Sequence, residues 1–159
     1  MDWASVDLYD EFESRVSTAA LQFRSFGGRE RFCGPVRTVQ CYEDNSLVRR
    51  ALETPGEGAV LVVDGRGSMR CALLGDMIAA MAADNGWAGV LINGCVRDAA
   101  QLKRIDLGIF ALGTNPAKSR KQNAGQDGIS VIIGEAVISP GMWVYCDGDG
   151  VLISPVRLT

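Results

Sequence analysis

The stretch from Leu74 to Asp98 constrains the fold of this chain more than any other part of the sequence. It contains a Gly-Asp break, a helical pattern over Asp76–Asn85, a strand-like apolar run over Ala88–Ile92 and a terminal Arg97-Asp98 pair. A further strand-like run, Met69–Leu74, precedes the helix. Two parallel strands joined by a right-handed helical crossover end at the same edge of a sheet. The pattern therefore predicts that the start of the helix and the Arg-Asp pair lie close together.

The other hydrophobic patterns predict helices and strands that alternate at first and are followed mainly by strands. We expect an α/β fold: a single compact domain over residues 1–159, with a mixed sheet or barrel-like core and flanking helices. Asp147-Gly148-Asp149-Gly150 is typical of a hairpin turn. The predicted helices are Ser5–Arg15 (Ser5 as N-cap), Glu43–Leu52 and Asp98–Arg104, and the predicted strands are Cys33–Tyr42, Ala59–Val63, Leu107–Leu112, Ser130–Ile138, Met142–Cys146 and Val151–Ser154.

Composition excludes several classes of function. A chain of 159 residues suits one domain with a real core. The net charge of -3 provides no basic field for nucleic acid. No apolar run approaches the roughly 20 residues of a membrane helix, and the acidic N-terminus lacks the features of a signal peptide. We therefore expect a soluble, cytoplasmic protein that binds neither membrane nor nucleic acid directly.

The chain has no His, which excludes Ser-His and Cys-His nucleophiles and imidazole metal sites. A bound metal would have to rest on oxygen ligands, which suits Mg²⁺ or Mn²⁺. The five cysteines form no CxxC pair, and the apolar neighbours of Cys41, Cys71 and Cys95 favour buried, reduced thiols. All three lysines lie in polar segments, which disfavours Schiff-base chemistry.

One long polar segment, Asn115–Gly128, contains Lys118 and Lys121. Two interpretations of this segment remain open. It is either a mobile, solvated loop or a lid over a bound anion.

Each group at the predicted sheet edge has a chemical task. The first N–H groups of the helix can receive the carboxylate of a 2-oxo acid, and Gly75 lets the backbone approach closely. Arg97 offers a planar fork to the same carboxylate and a positive charge to a developing enolate oxygen. Asp98 can hold a hard cation that polarises the ketone. A purely structural interpretation competes with this chemical one. In it, Asp76 caps a helix, Arg97 forms a surface ion pair and Asp98 is the N-cap of the next helix.

Several blocks of the sequence resemble one known family. They are FGGR at 26–29, CYEDN at 41–45, VLVVDGRGSMRCALLGD at 60–76, NGWAGVLINGCVRD at 85–98, ALGTNPAKS at 111–119 and YCDGDGVLISP at 145–155. Asp76 is followed by twenty residues and then by Arg97 and Asp98. In this the chain resembles the RraA-like family, which includes 4-hydroxy-4-methyl-2-oxoglutarate aldolases and regulators of ribonuclease activity. One difference from some members is Gln101, where they have an acidic residue.

The resemblance implies a divalent-metal-dependent lyase, a class II aldolase with oxaloacetate decarboxylase activity. The reaction would cleave 4-hydroxy-4-methyl-2-oxoglutarate to two pyruvates, or decarboxylate oxaloacetate, through a metal-stabilised pyruvate enolate. The implied fold is of the swivelling β/β/α type, assembled as a homotrimer or a dimer of trimers. The residues implied are Gly75, Asp76, Met77, Ile78 and Arg97 for substrate binding, Arg97 and Asp98 for catalysis, and Asp98 for Mg²⁺ or Mn²⁺.

The regulator members imply a second function from a different class. In that alternative the chain is a non-catalytic protein that binds and inhibits a ribonuclease of the ribonuclease E type or an RNA helicase. The Arg97-Asp98 pair favours the enzyme, because a docking surface has no evident need of it.

Overall fold

The sheet is built around Val60–Asp64, a strand whose five residues are all buried. Its β-branched side chains alternate between two cores, as expected for a strand covered on both faces. Parallel partners flank it on both sides, Phe32–Gln40 and Gly89–Val96. The structure is a computed structural model that describes residues 2–159.

Seventeen elements follow one another within residues 2–159. They are α1 (Ser5–Phe12) with a 3₁₀ turn (Glu13–Arg15), β1 (Ser17–Thr18), β2 (Arg24–Ser25), β3 (Phe32–Gln40), α2 (Ser46–Leu52), β4 (Val60–Asp64), β5 (Ala72–Leu74), α3 (Asp76–Asp84), β6 (Gly89–Val96), α4 (Ala99–Leu102), β7 (Gly108–Thr114), β8 (Gln126–Asp127), β9 (Val131–Ile133), β10 (Ala136–Ile138), β11 (Trp143–Asp147) and β12 (Gly150–Ser154).

Ten strands form one mixed sheet in the order β1-β12-β11-β3-β4-β6-β7-β2, with β5 paired to β6 and β8 paired to β3. Pairing is parallel among β3, β4, β6, β7 and β5, and antiparallel towards both ends. Residues of α2, α3 and α4 pack in one core, and residues of β9–β12 pack in the core on the other side of β4. Leu8 of α1 packs in a smaller third cluster with Trp3, Tyr145 and Leu152. The predicted fold class, an α/β domain with a mixed sheet and flanking helices, is confirmed.

The ring of Phe32 lies directly over two glycines of neighbouring parallel strands. A Cβ atom built at Gly89 would stand 2.3 Å from this ring, and one at Gly108 would stand 2.0 Å from it. Phe32 is fully buried and meets Phe110 edge-on at 5.2 Å between ring centroids. These two positions need glycine because the ring occupies the space of a side chain.

Two local predictions are wrong. Ser130–Ile138 is not one strand but the hairpin of β9 and β10, because Gly134 and Glu135 both have positive φ and turn the chain. Ser5 is not the N-cap of α1, since Ala4 occupies that position. The hydroxyl of Ser5 instead donates to Oδ1 of Asp147 at 2.7 Å.

Three element starts were predicted too early. The second helix begins at Ser46 rather than Glu43, because Glu43 has a φ of 56°. The strand predicted from Met69 is ordered as a strand only over Ala72–Leu74. The fourth helix begins at Ala99, after a left-handed residue.

No disulfide joins any of the five cysteines within residues 2–159, and four of them are buried. Burial, with a smaller contribution from nearby carboxylates, raises the pKa of Cys41 to about 12. Burial also raises the pKa of the other four thiols. The expectation that Cys41, Cys71 and Cys95 are buried thiols is confirmed. Within residues 2–159, the helices are too short or too polar for any of them to cross a membrane.

Candidate active site

The ends of β5 and β6 meet as the strand–helix–strand pattern predicted. The two strands are parallel, with Leu74 opposite Val96. Arg97, the first residue after β6, donates its backbone N–H to the carbonyl of Leu74 at 2.9 Å. The Gly75 turn and the Arg97-Asp98 pair are therefore adjacent, although more than twenty residues separate them in sequence.

Asp98 connects the end of β6 to the start of α3. Its Oδ2 accepts a hydrogen bond from the backbone N–H of Asp76 at 3.0 Å. The side chain makes no capping bond to α4, which follows it. Asp98 does occupy the N-cap position of α4, as the structural interpretation expected, but its carboxylate turns to a different helix, α3. Asp98 also has a φ of 61°, an uncommon conformation that Asp tolerates better than most residues.

Gly75 allows this close approach. A Cβ atom at Gly75 would stand 2.7 Å from Oδ2 of Asp98 and 3.5 Å from Cγ of Arg97. Gly75 is also the N-cap residue of α3, so Asp76 is the first helical residue and not the cap. No side-chain capping bond is present at this helix start.

Two backbone donors at the start of α3 remain available. The first hydrogen bond of the helix runs from Ala79 to Gly75, and Asp98 takes the N–H of Asp76. In the described part of the chain, the N–H groups of Met77 and Ile78 have no acceptor. They lie at the positive end of the helix dipole, where an anion is stabilised.

The Arg97 side chain is exposed and lies beside the Gly75 turn. Its one hydrogen bond is a long one, from Nη1 to the carbonyl of Pro116 at 3.4 Å. No carboxylate within residues 2–159 lies within ion-pair distance of it. The interpretation of Arg97 as half of a surface ion pair is therefore wrong, and its guanidinium is free to bind an anion.

A cavity of about 340 Å³ opens at this sheet edge, within the usual range for small-molecule sites. All six residues predicted for the site line it. The full lining is Asn45, Arg49, Ala72, Leu74, Gly75, Asp76, Met77, Ile78, Met81, Arg97, Asp98, Lys118, Ser119 and Lys121.

The sequence did not point to Asn45 and Arg49, and it placed Lys118 and Lys121 in a polar segment that was either a solvated loop or a lid over an anion. Asn45 is buried and lies within a sequence block shared with the family, which was the one signal available. The structure favours the second interpretation to this extent, that the segment lines the cavity. A hydrogen bond from the Lys121 amine to Oδ1 of Asn45, at 3.1 Å across 76 residues, joins the two segments.

The carboxylate oxygens of the cavity suit a hard cation that is held by only one or two protein side chains. Within residues 2–159, no group of three or more His, Cys, Asp or Glu side chains is placed to hold a metal. Asp98 and Asp76 are the two carboxylates of the lining. Oδ1 of Asp98 accepts no hydrogen bond from the described residues, so it remains free for a cation. Mg²⁺ is commonly held by one or two carboxylates, with water and substrate oxygens completing its shell.

A larger cavity, of about 730 Å³, lies between α1 and the turn joining β11 to β12. Its lining includes Asp10, Asp147 and Asp149 but no Lys or Arg. Volume does not decide function, and the smaller cavity has the convergent N–H groups, guanidinium and carboxylate. We therefore place the candidate active site at the smaller cavity.

The fold and this cavity define a class of protein: a small α/β domain with a cavity suited to a small anion where parallel strands end. The sequence profile of one family, RraA-like (Aldolase/RraA), matches residues 5–153. This chain belongs to the RraA-like family.

Individual relatives share the fold and carry different names. A protein of Aromatoleum aromaticum named "Putative 4-hydroxy-4-methyl-2-oxoglutarate aldolase" is 51% identical over 158 residues, covering 99% of each chain. A crystal structure described as an S-adenosylmethionine: 2-dimethylmenaquinone methyltransferase from Geobacillus kaustophilus has a TM-score of 0.97 and 45% identity, covering 98% of this chain and 97% of its own. The RNA-processing inhibitor RraA from Thermus thermophilis has a TM-score of 0.96 and 41% identity, covering 100% and 96%. Proteins of this one family carry different functional names, so the function has to be inferred from the site.

Proposed function

We propose that this chain is a divalent-metal-dependent lyase that cleaves 4-hydroxy-4-methyl-2-oxoglutarate to two pyruvates and decarboxylates oxaloacetate. One observation carries the proposal. One cavity at the ends of β5 and β6 is lined by the backbone N–H groups at the start of α3, by the Arg97 guanidinium and by the Asp98 carboxylate. In the described residues, two of these N–H groups, the guanidinium and one oxygen of Asp98 remain available to a ligand. The aldolase name of a relative that is 51% identical supports the same reaction.

The substrate's 2-oxo carboxylate would lie at the start of α3. The N–H groups of Met77 and Ile78 donate to it, and the helix dipole favours its charge. Arg97 adds a charge-assisted hydrogen bond to the same carboxylate. Because Gly75 has no side chain, the ketone next to this carboxylate can approach Asp98.

Asp98 would hold the divalent cation through its free oxygen, while its other oxygen stays bound to the N–H of Asp76. When bound, the cation supplies a Lewis acid for the ketone of the substrate. The positive charge of Arg97 stabilises the negative charge that develops on the ketone oxygen as the carbon–carbon bond breaks.

Both reactions break a carbon–carbon bond to C3 and yield pyruvate. In retro-aldol cleavage the C3–C4 bond breaks, the C4 hydroxyl loses its proton and becomes the ketone of one pyruvate, and C3 gains a proton in the other. In decarboxylation of oxaloacetate, CO₂ leaves C3 and a proton replaces it. Decarboxylation needs no base for a hydroxyl proton, so it asks less of the protein.

A coupled assay for pyruvate release tests this proposal. Both substrates would be supplied with Mg²⁺ or Mn²⁺ and then with EDTA. We expect activity that EDTA abolishes, that Asp98→Ala loses and that Arg97→Ala reduces strongly. Full turnover in EDTA, or in both variants, would contradict it.

The similarity to the RNA-processing inhibitor RraA supports a second candidate function. In this alternative the chain binds and inhibits a ribonuclease or an RNA helicase without chemistry. It predicts that Arg97→Ala and Asp98→Ala still inhibit RNA cleavage by a purified ribonuclease. The lyase proposal predicts that Asp98→Ala abolishes pyruvate release and that Arg97→Ala strongly reduces it.

We also propose that the chain assembles as a homotrimer or a dimer of trimers, as the resemblance implied. Sedimentation equilibrium tests this directly. A monomer at micromolar concentration would contradict the proposal.

A further inference from the structure

Met77 is an exposed methionine in the first turn of α3, beside the backbone donors that remain available to an anion. Its side chain is 83% exposed, the highest value among the large hydrophobic side chains of residues 2–159. Within that range it packs in none of the three hydrophobic clusters. It lines the candidate cavity, and its own N–H is one of the two available donors. Packing therefore does not explain a methionine at this position.

The other methionines of residues 2–159 are better shielded. Met81 and Met142 are partly buried and pack against the two larger cores. Met69 is 48% exposed, but its sulfur lies 3.4 Å from the sulfur of Cys95. A thioether has no proton to lose before it reacts with a peroxide, so exposure largely decides which methionine is oxidised. Met77 is therefore the methionine that a peroxide reaches most readily.

The cysteines compete poorly for a peroxide. The thiolate is the reactive form of a cysteine, and susceptibility to oxidation follows thiolate character and exposure. Burial raises the pKa of all five thiols, that of Cys41 to about 12. Four of the five are also buried. Oxidation of this chain by a peroxide should therefore begin at a methionine and not at a thiol.

Oxidation would change the chemistry of the Met77 side chain. The sulfur attacks the O–O bond of the peroxide and takes up one oxygen atom, while the other oxygen leaves as water. The sulfur loses two electrons and the peroxide gains them. The S=O oxygen that forms is a hydrogen-bond acceptor. Helical side chains tilt towards the N-terminus of their helix, so this oxygen can reach the free N–H groups of the first turn.

We propose that Met77 is an oxidation site, at which hydrogen peroxide forms a sulfoxide that accepts hydrogen bonds at the start of α3 and weakens anion binding in the cavity. This inference rests on the proposed function, in which the start of α3 binds the substrate carboxylate. The sulfoxide occupies the donors that the carboxylate needs. Enzymatic reduction of the sulfoxide frees them again.

Peptide mass spectrometry and calorimetry on the Mg²⁺-saturated protein test the proposal, with pyruvate as the anion probe. The protein is treated with limiting hydrogen peroxide, which is removed before pyruvate is added. We expect Met77 to gain an oxygen atom before Met69, Met81 and Met142. Pyruvate affinity should fall about fivefold, the worth of one hydrogen bond, and methionine sulfoxide reductases for both epimers should restore it.

Three variants separate the sulfur of Met77 from other effects of peroxide. Each is compared with its own untreated sample, so any effect of the substitution itself cancels. Met77→Leu should show no loss of pyruvate affinity on treatment. Met69→Leu is the matched control, because Met69 is the other exposed methionine and lies outside the cavity lining, and it should lose affinity as the native protein does. Met77→Gln carries an acceptor oxygen without oxidation, and untreated it should bind pyruvate about fivefold more weakly than untreated Met77→Leu.

The outcomes separate this inference from the lyase proposal. Oxidation of another methionine before Met77, or unchanged pyruvate affinity once Met77 is oxidised, would overturn the oxidation site and leave the lyase intact. Equal loss of affinity in treated Met77→Leu would do the same. A reversible, Met77-dependent loss of affinity in a protein that releases no pyruvate from either substrate would support the oxidation site and overturn the lyase. An untreated protein that does not bind pyruvate would overturn both.

Discussion

The carboxylate of Asp98 accepts a hydrogen bond from the backbone N–H of Asp76, at 3.0 Å between the two atoms. This contact joins the carboxyl end of β6 to the first turn of α3. It occupies one helix donor and leaves those of Met77 and Ile78 for a ligand. It also holds the second oxygen of Asp98 in a fixed position at the cavity. The chemistry proposed for the site depends on this arrangement.

Replacing Asp98 by Asn tests the charge at this position with little change in shape. The amide oxygen can still accept the N–H of Asp76, so the thermal unfolding temperature should change little. Turnover should fall about a hundredfold or more, because the hard cation loses its charged ligand. Pyruvate release and Mn²⁺ binding by electron paramagnetic resonance would be measured together.

The control for that substitution is Asp84→Asn, at the other end of α3 and outside the cavity lining. It removes the same charge from the same helix and should leave turnover and Mn²⁺ affinity unchanged. Unaltered Mn²⁺ affinity in Asp98→Asn would refute the assignment of Asp98 as the metal ligand.

Gly75→Ala should reduce activity without unfolding the protein. The added Cβ would lie 2.7 Å from Oδ2 of Asp98, the end of a side chain that can move away. The backbone φ of Gly75, -127°, is ordinary for alanine. We expect kcat/KM to fall at least about tenfold, since a small misplacement at a site is costly. The free energy of unfolding in urea should change by less than about 1 kcal/mol.

Gly148→Ala provides the matched comparison, because nothing lies within 4 Å of a Cβ at Gly148. It should alter neither activity nor stability. If Gly75→Ala kept native kcat/KM, the close approach of Gly75 and Asp98 would have no part in the function.

The sequence predicted that Gly75 and Arg97 meet at the site. It did not predict that Asn45 and Lys121 meet in the wall of the same cavity. A strand, a helix and a strand in succession determine that Gly75 and Arg97 meet, because right-handed crossovers are nearly universal. The contact between Lys121 and Asn45 joins segments 76 residues apart, and no periodicity encodes it. The left-handed φ of Asp98 was equally hidden, since Asp occurs in many backbone conformations.

Part of the fold was likewise predictable from the sequence, and part was not. The buried run of β4 was recognisable from its β-branched residues alone, because both faces of the strand are covered. The hairpin at 131–138 was mistaken for one strand because Glu135 takes a positive φ, which its residue type does not signal. Local pattern predicts elements well, whereas side-chain contacts between distant segments decide turns and caps.

Gly108→Ala should destabilise the protein by about 3 kcal/mol through overpacking. The added Cβ would stand 2.0 Å from the ring of Phe32, which is fully buried and cannot move into solvent. Urea unfolding measures the change. Phe32→Leu in the same chain should recover part of the loss by removing the ring. A Gly108→Ala protein as stable as the native one would contradict the packing described for Phe32.

The last prediction concerns pH and the buried carboxylate of Asp44, which anchors the lysine-bearing segment. Oδ2 of Asp44 accepts from the backbone N–H of Gln122 at 2.6 Å, and Oδ1 accepts from that of Ser46 at 2.9 Å. Burial acts to raise the pKa of Asp44, but hydrogen bonds from Ser46, Gln122 and Ala124 outweigh it, so the pKa lies below its ordinary value. The ionised form is therefore favoured in the folded protein.

A lowered folded pKa means that this stabilisation is complete above the unfolded pKa of about 3.9 and is lost as pH falls through the folded value. Asp44→Asn should cost about 2 kcal/mol at pH 7, because an amide cannot accept through both ends. The stability difference between variant and native protein should shrink below about pH 4, measured by urea unfolding between pH 3 and 7. A difference that stays constant across this range would show that the Asp44 charge does not hold the segment.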